Sequence, residues 1–303
     1  MPKVACIGEC MIELSEHPDG RITRAWGGDT LNTAVYLARL GVAVDYITAL
    51  GDDAWSEDML AGWRAEGVGT DRVLRMAGRL PGLYVIRTDA KGERCFSYWR
   101  DRAPAREIFT CPQTPDIAAA LASYGHIYLS GITLSLYDDG GRTALLAALA
   151  AAKTRGTKVV FDTNFRPRGW PDRAAARAAY SALLARADIV FASTEDVEPL
   201  FTRSSEDVLA DLAPDAEIVL KRATPACCLM IGMTRTEIAA EPVASVIDTT
   251  AAGDSFAAGY LAARLAGESP EQAARVGHRV AGAVVQHRGA IIPRDAMPKD
   301  VLS

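Results

Sequence analysis

The chain is expected to fold as an α/β protein on a doubly wound, mostly parallel sheet flanked by helices. Two observations predict this. Short β-rich runs alternate with longer helical ones, and most of those runs are continuously apolar, as strands are when helices cover both faces of a parallel sheet. Strand candidates lie at 4–8, 44–50, 126–130, 158–162, 188–192, 217–221 and 243–248. Helix candidates lie between them at 30–40, 56–66, 138–155, 172–186, 254–266 and 270–287.

Val4-Ala5-Cys6-Ile7-Gly8 forms the first run, and Glu9 breaks it. The first helix carries Leu31, Ala34, Val35, Ala38 and Leu40 at helical spacing, and Gly41 closes it. The helix after the second strand stops at Gly67-Val68-Gly69, which lacks the third glycine of a dinucleotide fingerprint. One region then breaks the alternation. Runs at 82–87 and 94–100 surround the turn-forming Asp89-Ala90-Lys91-Gly92-Glu93, which reads as a hairpin without a helix. On its second strand Phe96, Tyr98 and Arg100 share one face, while Cys95, Ser97 and Trp99 share the other. A register pairing Tyr84 with Tyr98 would bring Tyr84, Tyr98 and Arg100 to one surface. Such a hairpin cannot stand alone in water, so it is expected to cover something as a lid. With no internal repeat or long linker, residues 1–303 are expected to form one α/β unit, its lid drawn from about 10–26 and 80–102.

The 303 residues are 49% hydrophobic and 23% charged, which excludes disordered and fibrous classes and allows a substantial core. Lys and Arg number 33 against 38 Asp and Glu, a formal charge of −5 with no basic block. That balance argues against nucleic-acid and membrane partners, so an anionic ligand would need a local cluster. The longest apolar stretch, 144–152, is far shorter than the roughly 20 residues a bilayer span needs. The apolar run at the N-terminus is too short for a signal peptide, so a cytoplasmic location is expected. Six cysteines without a Cys-x-x-Cys pair give neither a disulfide framework nor a zinc site, and the four histidines are scattered without ligand spacing.

The most informative segment is Asp248-Thr249-Thr250-Ala251-Ala252-Gly253-Asp254-Ser255-Phe256, which opens a helix. A small-residue turn there is expected to leave the amides of Ala252, Gly253 and Asp254 unpaired beside the positive end of the helix dipole, an anion site. A carboxylate at Asp254 would be placed to accept a proton from an attacking hydroxyl. The bland alternative is that Gly253 and Asp254 merely cap a helix.

This segment resembles the second signature of the ribokinase-like (PfkB) sugar kinases, usually Asp-Thr-x-Gly-Ala-Gly-Asp-x-Phe. The resemblance covers the whole chain: Gly27-Gly28-Asp29-Thr30-Leu31-Asn32 fits the N-terminal signature, Gly51-Asp52-Asp53 the segment after the second strand, and Asp162-x-Asn164-x-Arg166 a middle motif. It implies a ribokinase-like fold with a small β-sheet lid, Asp254 as base, and an anion hole made by the amides of Ala252, Gly253 and Asp254, with Ala251 also among the catalytic residues of the turn. Ala251 replaces the first glycine, a change expected not to matter if its φ is negative. Four further stretches, 8–14, 27–32, 81–84 with 98–100, and 288–293, narrow the resemblance to the kinases of 2-keto-3-deoxygluconate, a six-carbon keto-acid.

The resemblance implies that the turn Gly28, Asp29, Thr30, Leu31 and Asn32 binds the acceptor sugar, with Tyr84, Tyr98 and Trp99 from the lid. Arg100 and Arg166 are the candidates for the substrate carboxylate, since arginine recognises carboxylates bidentately. Their ordinary alternative is solvation or pairing with Asp89, Glu93 or Asp101. No P-loop occurs. By resemblance the nucleotide falls to Asn164, Arg166, Lys221, Arg222, Ala223, Thr224 and the amides of 251–253, with purine packing near 281–286. ATP implies Mg²⁺. The family's Asn-x-x-Glu near that metal aligns with Ser193-x-x-Asp196, and no metal ligand is assigned. The expected activity is therefore ATP-dependent phosphorylation of the keto-acid's terminal hydroxyl. The alternatives are a kinase for fructose, ribose or a hexonate, and a non-catalytic sugar-binding regulator. The lid's apolar face suggests a homo-oligomer formed through it.

Overall fold

A computed structural model describes residues 3–17, 19–88 and 94–302. The turn cluster at 89–93 lies outside the described residues. Strand β1 (Val4–Ile7) is followed by β2 (Met11–Glu16), β3 (Ile22–Gly27), α1 (Asp29–Arg39), β4 (Val44–Ile47), β5 (Ala49–Leu50), α2 (Ala54–Ala65), β6 (Leu74–Arg75), β7 (Leu83–Thr88) and β8 (Arg94–Trp99). The second half runs α3 (Thr114–Leu121), β9 (His126–Ser130), α4 (Gly131–Leu136), α5 (Asp139–Lys153), β10 (Lys158–Asp162), α6 (Arg173–Leu184), β11 (Ile189–Ser193), α7 (Thr194–Phe201) and α8 (Ser205–Leu212). It closes with β12 (Glu217–Lys221), β13 (Ala226–Ile231), β14 (Thr234–Ala239), α9 (Ala252–Leu265) and α10 (Pro270–Val284).

Eight strands form the main sheet in the order β14-β13-β12-β11-β10-β9-β1-β4. The six from β4 to β12 are parallel, and β13 and β14 join antiparallel. The continuous apolar runs follow from this layering. In β1 the buried Val4 and Cys6 pack with α1, α2, α9 and α10 on one face, while Ala5 and Ile7 pack with α3 and α5 to α8 on the other. Because β1 lies between β4 and β9, the winding reverses there. Ligands of such sheets bind at the carboxyl ends of strands beside that reversal. A second sheet, in the order β3-β2-β7-β8, forms the cover, with Tyr84 paired to Tyr98 and Leu83 to Trp99.

Two expected strands come out differently. The run 44–50 divides at the fully buried Thr48: β1 ends at Ile7, opposite Ile47, and beyond that point the chain pairs as β5 with β6. The run 243–248 is irregular. The β13–β14 hairpin has taken the sheet edge it would need, and the amides of Ile247 and Asp248 donate instead to the Val285 carbonyl beyond α10 (2.8 and 3.2 Å).

Candidate active site

Polar side chains gather at the carboxyl edge of the main sheet: Glu9 follows β1, Asp162 and Asn164 end or follow β10, Asp196 follows β11 in α7, and Lys221 ends β12. Two helix N-termini face each other over them. Asn32 in the first turn of α1 donates from Nδ2 to Asp254 Oδ2 in the first turn of α9 (2.8 Å), and Thr33 Oγ1 donates to the Asp254 carbonyl (3.3 Å). The Asp254 carboxyl is pushed up to about 7, first by burial and then by the nearby Asp29 and Asp162 charges, against the opposing Asn32 hydrogen bond and Lys221. Asp29 is itself held by Asn164 Nδ2, which donates to its Oδ2 (2.7 Å). Lys221 Nζ sits 3.3 Å from Asp162 Oδ2. Burial alone would push the ammonium down, yet Asp162, Asp196 and Asp254 together push it up, so it stays charged. It also lies against the turn: a Cβ added to Gly253 would meet Lys221 Nζ at 3.3 Å.

The turn corrects three expectations. The N-cap of α9 is Ala251, so Asp254 is not a cap but stands within the first turn of the helix. Ala251 has φ 60°, in the left-handed region, not the negative φ on which its replacement of glycine would be harmless. The Ala252 amide is not unpaired either, since it donates to the Thr249 carbonyl (3.2 Å) and closes the turn. The helical ladder starts at Ser255, which donates to Ala251 O (2.9 Å), so the amides of Gly253 and Asp254 are the ones presented at the helix N-terminus. A left-handed alanine costs roughly 1–2 kcal/mol, partly offset by the freedom it removes from the unfolded chain. Ala251→Gly is accordingly expected to raise stability by about 0.5–1 kcal/mol in urea unfolding.

The cover meets this floor at the Gly27-Gly28 turn. A side chain on Gly27 would collide with Tyr84 Oη, and one on Gly28 with the Glu9 carbonyl, so only glycine permits this contact. Tyr84 is buried and donates its hydroxyl to Glu13 Oε2. Its ring lies 5.8 Å from that of Tyr98, which is 48% exposed. Arg100 pairs with the buried Glu9, a partner the sequence did not suggest. Trp99 is 61% exposed and alternates onto the face opposite Tyr84 and Tyr98, though it lines one cavity with Tyr98 and Arg100.

Arg166 is mostly exposed, donates to the Phe165 carbonyl (2.9 Å) and stands 3.7 Å from Asp196 Oδ1. Arg222 is engaged by Glu206 and Glu237 (2.6 and 3.0 Å), so a phosphate would have to compete with two carboxylates for it. Ala223 and Thr224 are exposed on the β12–β13 turn. Ser193 Oγ accepts the Asp196 amide (3.1 Å), making it the cap of α7. Sequence reasoning missed Glu9, Glu13 and Asp162 as partners of site residues. A charged residue at the end of an otherwise apolar, doubly covered strand is the signal that marks Glu9 and Asp162.

A doubly wound sheet with a helix-borne carboxylate at its carboxyl edge and a small β-sheet cover defines the ribokinase-like class of carbohydrate kinases, phosphotransferases with an alcohol acceptor. The pfkB family carbohydrate kinase model matches residues 1–297, and the chain belongs to that family. It is 47% identical over 305 residues to the 2-dehydro-3-deoxygluconokinase of Dickeya dadantii, covering 97% of this chain and 98% of the relative. With the Escherichia coli K12 protein of the same name it shares 46% identity over 306 residues, covering 98% and 99%. Among solved structures, an ATP-bound fructokinase from Xylella fastidiosa superimposes with TM-score 0.83 at 25% identity, covering 99% of this chain and 97% of that one.

Proposed function

We propose that this kinase phosphorylates the terminal hydroxyl of 2-keto-3-deoxygluconate with ATP, giving 2-keto-3-deoxy-6-phosphogluconate. The observation that carries the chemistry is Asp254: a carboxylate at a helix N-terminus, held by Asn32, beside a charged lysine. With its pKa lifted toward neutrality it is matched to taking a proton from an alcohol as that oxygen attacks the γ-phosphorus. The new O–P bond forms as the bond from the γ-phosphorus to the β–γ bridging oxygen breaks, and ADP leaves with that electron pair. Lys221 and the amides of Gly253 and Asp254 stabilise the charge spread over the transferring group. Asn32 Oδ1 is buried with no hydrogen-bond partner among the described residues, an acceptor suited to a sugar hydroxyl.

Acid selectivity is assigned to Arg100, with Tyr84 and Tyr98 from the same lid and Arg166 from the loop after β10. Among the described residues, no three His, Cys, Asp or Glu side chains could together hold a metal. The hard oxygens of Asp162 and Asp196 nevertheless fit a magnesium ion brought in on the nucleotide's phosphates, each acting through water, as Mg²⁺ keeps several waters. When bound, the ion neutralises charge on the β- and γ-phosphates. Asn164 and the 221–224 turn are assigned to the nucleotide.

Among the described residues no helix is long and apolar enough to cross a membrane. All six cysteines are free, four of them buried, which supports a reducing cytoplasm. The exposed Ile22, Phe96, Tyr98 and Trp99 on the cover support association through the lid, to be read by gel filtration. The decisive experiment is a substrate panel with ATP: the keto-acid is expected to exceed fructose, ribose and gluconate in kcat/KM by about 100-fold or more. A neutral sugar preferred over the keto-acid would overturn the assignment.

A further inference from the structure

Glu9 sits where the body meets the lid. Its side chain is 1% exposed, while that of its partner Arg100 is 21% exposed, so the carboxylate is held inside and part of the arginine stays accessible. Glycines close on the residue from two sides, Gly82 against its carboxylate and Gly28 against its main chain. A Cβ on Gly82 would lie 2.8 Å from Glu9 Oε1 and 3.2 Å from Arg100 Cβ, and one on Gly28 would strike the Glu9 carbonyl. The glutamate is thus wedged between the Gly27-Gly28 turn and the lid.

This arrangement is a poor way to gain stability. A desolvated ion pair roughly breaks even only when its remaining oxygens and protons are satisfied. Here Glu9 Oε1, Arg100 Nε and the Tyr137 hydroxyl are all buried with no hydrogen-bond partner among the described residues. Unpartnered groups of this kind mark a cluster that is incomplete by itself. Holding one edge of a planar guanidinium does, however, set the direction of its other donors, which is what recognition of a second carboxylate requires.

We propose that Glu9 is a positioning residue for acid selectivity: by gripping Arg100 at the lid hinge, it presents the exposed edge of the guanidinium to the substrate carboxylate without touching substrate itself. The inference rests on the keto-acid reading above and names the residue that makes Arg100 selective. The groups facing Glu9 are Arg100, Arg106 beyond the lid, Asp29 at the start of α1 and Tyr137 after α4. Burial pushes its carboxyl up, and Arg100 and Arg106 oppose that. The grip therefore loosens as pH falls through a value above the ordinary 4.5, and acid binding weakens in that direction.

The test measures keto-acid binding by calorimetry in an Asp254→Asn background, where the base cannot titrate. Adding Glu9→Gln is expected to weaken keto-acid binding about tenfold, leave ATP binding unchanged and abolish the weakening at low pH. In an Arg100→Gln background, Glu9→Gln is expected to add nothing, because its effect passes through Arg100. Unchanged binding in Glu9→Gln with weakened binding in Arg100→Gln overturns the positioning role, as do additive effects. Unchanged binding in Arg100→Gln overturns the keto-acid reading instead. Should Glu9→Gln fail to fold, a pH-independent affinity in the parent protein overturns the proposal.

Discussion

Asp254→Asn is expected to lower kcat by about 10²–10⁴-fold while leaving the affinity for sugar and ATP near normal. Asparagine keeps the shape and still meets the Asn32 amide group, but it cannot take the proton from the attacking hydroxyl. A variant with near-normal turnover would remove Asp254 from the base role. The same residue sets the pH dependence. Since only the ionised form accepts a proton and its pKa is near 7, kcat/KM in the wild type is expected to rise through pH 7 and then level off. Stability should move the other way. A carboxyl whose pKa is raised on folding binds more protons folded than unfolded between about 4 and 7, so stability falls as pH rises through that window. Asp254→Asn, uncharged throughout, is therefore expected to melt at a higher temperature than the wild type at pH 8, which thermal unfolding would read directly.

Arg100→Gln is expected to raise KM for the keto-acid by about 10–100-fold, the worth of a charge-assisted hydrogen bond or two, with little change in kcat. The loss should be confined to acidic acceptors, so residual activity on neutral sugars stays the same and the preference collapses. Arg100→Lys should recover only part of the affinity, because an ammonium keeps the charge but not the planar fork. Equal losses for acidic and neutral acceptors would show that the residue supports the lid and does not read the carboxylate.

Much of this was legible along the chain. The strands at Lys158–Asp162 and Glu217–Lys221 stand where the apolar runs place them, because a strand covered on both faces has no polar positions to blur its ends. The hairpin was legible as a local feature, and the register supposed for it, Tyr84 opposite Tyr98, is the one the structure has. Less local features were not legible. The apolar residues at 243–248 resemble a strand, and β13 and β14 have no counterpart among the strands expected from sequence; only that hairpin's occupation of the sheet edge decides otherwise.

The sequence by itself determined the α/β class, the family signature around Gly253 and Asp254, and the residue types that phosphoryl transfer to an acid would need, since these depend on composition, spacing and local geometry. Tertiary structure alone decided which charges meet. Glu9 and Arg100 are 91 residues apart, Asn32 and Asp254 222 apart, and Lys221 and Asp162 59 apart. The Ala251 backbone angle likewise depended on how the turn closes onto Thr249. The physical reason is that the parallel sheet carries the ends of distant strands to one edge, where burial and mutual charge, not sequence neighbours, set each group's partner and pKa.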